Sequence, residues 1–185
     1  IKKTPLGKNS DIPLKYDPSI LTPLSRLESR TKAGLEEFAS QFEGRDYWTS
    51  YETSWLNEKG IPRNKILNLS YSSQSQFFIE SKSLKLYLYS LNNKEFRSTE
   101  EVQAQIKEDL ENSLKTEVTV ELENKPRKIE EIFTSIDSED LDKIDSHPLS
   151  LSIEPEEEAD VTEELSTSLF RSLCPVTSQP DWATI

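Results

Sequence analysis

The chain has 185 residues, 34% hydrophobic and 30% charged, with 34 acidic side chains against 22 Lys and Arg and a net charge of −12. That length holds one domain with its own core, or one domain and part of another. So acidic a surface repels phosphate backbones and anionic bilayers, which argues against direct nucleic-acid or membrane binding. The single cysteine excludes an internal disulfide and suits a reducing, cytoplasmic setting.

Four prolines, Pro5, Pro13, Pro18 and Pro23, precede position 24. Their spacing predicts an extended arm over residues 1–45, with a short helix near Leu27–Phe38. The opening IKKTPLGKNSDIPLKYDP lacks the apolar core of a signal peptide, and no apolar run approaches the length of a membrane span. Methionine is absent even from position 1, so the first residue is not expected to be the translated start.

Residues 46–72 predict a hairpin. DYWTSYETSWL is rich in aromatics and threonine, NEKGIP carries a turn with Gly60, and RNKILNLSY sets Leu67, Leu69 and Tyr71 on one face. SKSLKLYLYSLNN is ambiguous. Leu84, Leu86 and Leu88 alternate as in a strand, whereas Leu84, Tyr87, Leu88 and Leu91 make a helical stripe. STEEVQAQIKEDLENSLK is a helix, opened by a capping box of Ser98 and Glu101 and striped by Val102, Ile106, Leu110 and Leu114. TEVTVELE alternates as a strand, with HPLSLSIE, through Leu149, Leu151 and Ile153, as its expected partner. Seven acidic and no basic residues then fall between Glu154 and Glu164, a self-repelling linker. The order predicts an α+β unit with an antiparallel sheet.

The closing stretch SLFRSLCPVTSQPDWATI holds Cys174 and, seven residues on, Asp181. A lone cysteine is commonly a small buried hydrophobe. A nucleophilic role needs a thiolate and a nearby acid or base, and Asp181 is the local candidate. If the ambiguous segment is helical, Ser81, Lys82 and Ser83 lie at its N-terminus, where N–H groups, a hydroxyl and an ammonium can hold an anion. Glu80 just before them can accept hydrogen bonds from a donor-rich base edge. Only four glycines are present and neither a Rossmann nor a P-loop pattern occurs. With one His (His147) and one Cys, a zinc site lacks ligands, so no metal is expected, and a Ser-His-Asp triad would have to use a loop histidine.

Together DYWTSYETSWLNEKGIP, ESKSLKLYLYS and CPVTSQPDW closely resemble the two-module form of the NADPH-dependent preQ0 (7-cyano-7-deazaguanine) reductases, the nitrile reductases of queuosine biosynthesis in tRNA modification. The similarity runs from Leu6-Gly7-Lys8 to Ile185. Cys174 follows the E-S-K-S string by more than ninety positions, as in the tandem form. The resemblance implies a tunnelling fold, ββααββ per module, and makes the ambiguous segment a helix after Ser81. It implies a first module over 46–153, an acidic linker over 154–167 and the start of a second, truncated module over 168–185. It implies that Cys174 attacks the nitrile carbon to form a thioimide, that NADPH reduces it in two steps to preQ1, and that Asp181 supplies protons in a site kept dry by Pro180 and Trp182. Ile79, Glu80 and Ser81 match positions that contact substrate, and Ser81 and Lys82 match positions that contact NADPH. A homodimer is expected. The family's His-Glu substrate pair and Arg-Gly cofactor pair have no counterpart in the 185 residues, so a non-catalytic association module is the alternative. A pterin-forming cyclohydrolase would need zinc ligands that the chain lacks.

Overall fold

The computed structural model of the chain describes residues 12–35, 43–125, 133–137, 164–174 and 177–184. Two compact units divide it, residues 1–128 and 129–185. In the first, a single 3-10 turn (Pro18–Ile20) leads into β1 (Pro23–Ser25) and α1 (Arg26–Lys32). Then come β2 (Arg45–Asn57), β3 (Pro62–Ser72), β4 (Phe77–Ile79), α2 (Ser81–Ser90), β5 (Glu95–Phe96), α3 (Thr99–Leu114) and β6 (Val118–Glu123). The fold is α+β, as the element order predicts.

β2 and β3 form the expected hairpin, in register from Asp46 opposite Tyr71 to Leu56 opposite Pro62, with a bulge between Ser50 and Thr53. Its turn is held by Asn57, whose Oδ1 accepts the N–H groups of Lys59 (3.0 Å) and Ile61 (2.9 Å). Gly60 follows at φ +70°, a left-handed conformation that only glycine adopts without strain. The sheet order is β5-β2-β3-β6, with β5 parallel to β2 and the other pairs antiparallel. The partner of β6 is β3, with Tyr71 opposite Val118; the expected strand through Leu149–Ile153 lies outside the described residues.

α2 and α3 pack on the face of β3 that carries Leu67, Leu69 and Tyr71. In α2 the buried apolar residues are Leu84, Tyr87 and Leu88, followed by Leu91, while Leu86 is half-exposed. The helical stripe therefore wins over the alternating one, because only the former turns a continuous apolar strip to the sheet. α3 buries the four expected residues, each worth about 1.5–3 kcal/mol when fully removed from water. Ser98 caps α3 by accepting the Glu101 N–H. The return bond of the expected box goes one residue earlier, from the Arg97 N–H to Glu101 Oε2 (2.6 Å).

The N-terminal arm is built in rather than merely laid on. β1 pairs antiparallel with β4, Pro23 opposite Ile79. Upstream, the hydroxyls of Tyr16 and Tyr87 both donate to Asp109 Oδ2, at 2.7 and 2.6 Å. Lys94 Nζ sits 3.5 Å from the centre of the Tyr16 ring, a cation–π contact. Burial, and then the hydrogen bond to Asp109, push both tyrosine hydroxyls well above their ordinary pKa. α1 starts at Arg26 behind a Ser25 cap, and residues 36–38 of the expected helix lie outside the described residues.

The second unit has short elements. β7 (Thr134–Ser135) pairs parallel with β8 (Leu165–Ser166), and β9 (Phe170–Leu173) pairs antiparallel with β10 (Pro180–Ala183). Asp137 ties the segment after β8 by accepting from Thr167 Oγ1 and from the Ser168 N–H and hydroxyl. Those bonds, Ser168 first, hold its carboxyl below the usual range. Among the described residues no helix is long and apolar enough to cross a membrane.

Candidate functional site

α2 begins at Ser81, where an anion-binding helix N-terminus is expected. Two of its first N–H groups, those of Lys82 and Ser83, are not available to a ligand, however. Glu80 is the N-cap, buried at 4% exposure, and its Oε1 and Oε2 accept the N–H groups of Lys82 and Ser83, each at 2.8 Å. A carboxylate at that point satisfies two orphan donors and meets the positive end of the helix dipole. Ser83 is equally committed: its hydroxyl donates to the Glu80 carbonyl (2.7 Å) and accepts the Thr22 N–H (3.0 Å). The groups that face outward are the exposed Ser81 and the half-exposed Lys82.

The residues just before the helix are fixed as firmly. The Ile79 N–H donates to the Tyr71 hydroxyl (3.2 Å), which also receives Trp48 Nε1–H (3.1 Å). The Glu80 N–H donates to the Thr22 carbonyl (3.0 Å). Tyr71 is fully buried, and that burial raises its hydroxyl pKa. Ile79, Glu80 and Ser81 together form one wall of an open pocket of about 580 Å³, whose other walls include Arg26, Asp46, Trp48 and Phe78. A second pocket, of about 300 Å³, lies along α2 between Ser81, Lys85 and Tyr89 and the bulged part of β2.

Sequence reasoning misses Arg26 and Asp46. Arg26 donates to Asp46 Oδ2 through Nη2 and to Ser75 Oγ through Nε (3.1 Å), with its guanidinium 5.4 Å from the Phe78 ring centre and 5.8 Å from that of Tyr71. The two are twenty residues apart and belong to no local pattern, so only the fold pairs them.

Cys174 and Asp181 lie in the second unit, on the β9–β10 ribbon. The closing stretch doubles back on itself into two paired strands. Ser178, at φ +57°, donates its N–H to the Cys174 carbonyl, while the Cys174 N–H donates to the Gln179 carbonyl, both at 2.9 Å. That pattern is a β-bulge opposite Cys174, of the kind that re-aims a side chain at a strand end. Since Asp181 is opposite Ser172, and Ser172 is two residues from Cys174, alternation puts Cys174 and Asp181 on one face of the ribbon. They are diagonal neighbours, roughly 7–8 Å apart at Cα in such a ladder. Cys174 is half-buried; Asp181 and Trp182 are exposed, Trp182 at 61%, so a dry setting from the flanking residues is not found here. Two strands alone have no second layer with which to exclude water.

Residues 13–122 match the family described as nitrile reductase, 7-cyano-7-deazaguanine-reductase, N-terminal part. Similar curated proteins named NADPH-dependent 7-cyano-7-deazaguanine reductase include that of Hahella chejuensis, 42% identical over 190 residues, with all of this chain and 69% of the relative covered. Those of Acinetobacter baylyi (37%, the same coverage) and Desulfotalea psychrophila (42%, covering 98% of this chain and 67% of the relative) agree. The matches define a nitrile reductase class. The chain belongs to the 7-cyano-7-deazaguanine reductase family.

Proposed function

We propose that the protein reduces the nitrile of 7-cyano-7-deazaguanine to the aminomethyl group of preQ1 with NADPH, in the queuosine branch of tRNA modification. The observation that carries this is the common face of Cys174 and Asp181 on the β9–β10 ribbon, within the motif shared with the family. A nitrile is a poor hydride acceptor. Addition of the Cys174 thiolate forms a C–S bond, turns C≡N into C=N and puts charge on nitrogen, which Asp181 protonates. The resulting thioimide is a better electrophile. Loss of the thiolate after the first reduction leaves an imine, and the second reduction gives the amine. Bound NADPH would supply the two hydrides that this four-electron change needs. The outward Ser81 hydroxyl and Lys82 ammonium fit its anionic groups, and the pocket along α2 fits a ring. Ile79, Glu80 and Ser81 then border the substrate heterocycle.

With the short β4 and β5 set aside, the strand-strand-helix-helix-strand order and the packing of both helices in one core with the sheet support a tunnelling fold. We read residues 1–45 as the arm, 46–153 as a first module, 154–167 as a linker and 168–185 as part of a second. Exposed Phe170, Leu173 and Trp182 support association as a homodimer.

The test is the stoichiometry of turnover. NADPH oxidation should depend on 7-cyano-7-deazaguanine at two per nitrile. Asp181→Asn should slow it by about 10²–10⁴-fold with an unchanged denaturation midpoint, because Asp181 is exposed. Oxidation that ignores the nitrile, or that survives Cys174→Ala, would overturn the reading.

A further inference from the structure

The N-terminal arm meets α2 along a face that the proposed chemistry leaves without a role. Ser83, Tyr87 and Ser90 fall four and then three residues apart, so they share one face of the helix, and all three are buried. The arm bonds to each level of that face. The Thr22 N–H donates to Ser83 Oγ (3.0 Å) and the Asp17 N–H to Ser90 Oγ (3.2 Å). Tyr87, between the two serines, shares Asp109 Oδ2 with Tyr16. Just past the helix, Asn93 Nδ2 donates to the Leu14 carbonyl (3.3 Å). Residues 14–22 thus run antiparallel to α2. Each serine also donates back into its own helix, Ser83 to the Glu80 carbonyl and Ser90 to the Tyr87 carbonyl, which aligns its lone pairs to accept from the arm. The seam is mostly polar: of residues 14–22 only Leu21 is buried in the core, with Tyr16 and Ile20 packed against it. A seam with so few apolar contacts opens before the body of the fold does.

Opening of that seam acts directly on the start of α2. β4 delivers Ile79 there, and among the described residues its strand partner is β1 of the arm, with Pro23 opposite Ile79. The Glu80 N–H is held by the Thr22 carbonyl. With the arm away, Ile79 and Glu80 lose that ladder. Resting on the substrate reading above, we propose that residues 14–25 are a strap whose closure is a condition of heterocycle binding at Ile79, Glu80 and Ser81, and that Tyr16 is the positioning residue that latches the strap to Asp109. The coupling is reciprocal: a ligand that binds only when the strap is closed also holds it closed.

Amide hydrogen exchange, followed residue by residue by NMR on the full 185-residue chain, tests this with 7-cyano-7-deazaguanine as the probe. In the free protein the Asp17, Thr22 and Glu80 N–H groups should exchange about tenfold or more faster than those of Ile106 and Leu110 inside α3. The nitrile at about a hundred times its Kd should slow those three amides about a hundredfold. Tyr16→Phe keeps the ring beside Lys94 and removes the donor to Asp109. It should speed strap exchange in the free protein by about tenfold to a hundredfold, the range for a hydrogen bond to a charged group. Bound nitrile should then slow exchange by the same factor as in the unaltered protein. Ser90→Ala, which removes the acceptor of the Asp17 N–H, should act in the same direction. Strap amides as slow as those of α3 would overturn the proposal, since the arm would then open only with the whole fold. Strap amides whose exchange ignores bound nitrile would overturn it too, and would leave the substrate reading standing. Unchanged strap exchange in Tyr16→Phe would overturn the latch. Failure of the nitrile to bind would bring down the substrate reading and this proposal with it.

Discussion

The start of α2 and the β9–β10 ribbon hold different halves of the proposed chemistry, and they are built in opposite ways. At α2, every residue from Ile79 to Ser83 except the exposed Ser81 has its N–H or side chain committed to a buried bond, through Tyr71, Thr22 and the Glu80 cap. On the ribbon, every residue of β9 and β10 is exposed, and backbone register sets Cys174 and Asp181 on one face. Recognition of a rigid heterocycle gains from a wall whose geometry is already fixed before binding. A nucleophile, by contrast, needs access, and a partly exposed thiol at a strand end has it. The comparison teaches that one short motif can be rigid for folding reasons while another is aligned by alternation alone.

Breaking the rigid half should be costly, and most costly beneath it. Asp109→Ala strands the buried Tyr87 hydroxyl, takes an acceptor from the half-buried Tyr16, and should cost about 1–3 kcal/mol in urea unfolding. The same cluster carries a pH signature. Tyr16 and Tyr87 keep their protons in the folded state beyond their ordinary value of 10.0, so the unfolded chain is the first to lose protons. Stability is therefore fully present below that value and falls as pH rises above it, and Tyr87→Phe should flatten the fall. Next in size, Glu80→Ala should cost about 0.5–2 kcal/mol, the range for losing a helix N-cap. It should also loosen the wall above, so the affinity for 7-cyano-7-deazaguanine should drop with it. A loss of affinity at unchanged stability would show that Glu80 serves the ligand and not the helix.

What the sequence reveals follows the range of the interactions. The β2–β3 hairpin, α3 and β6 are legible because turn residues and apolar periods are local. The period of α2 is not decisive by itself, since Leu84 and Leu88 serve both patterns; burial of Tyr87 and Leu91 against the sheet is what selects the helix. Glu80 as a cap is hidden, because glutamate is not among the preferred cap residues and its commitment shows only when both oxygens are seen to accept. The parallel β5, the β1–β4 pair and the Arg26–Asp46 bond are non-local and leave no spacing to read. Cys174 and Asp181 are recognisable from their motif, yet their shared face follows from the β9–β10 register, which no local spacing gives.

The central claim is covalent capture by Cys174, and intact-mass spectrometry after incubation with 7-cyano-7-deazaguanine, NADPH omitted, addresses it most directly. One adduct per chain, equal to the mass of the whole heterocycle and absent from Cys174→Ala, is the predicted result. An unmodified chain at saturating nitrile, or an adduct that persists in Cys174→Ala, would contradict the account.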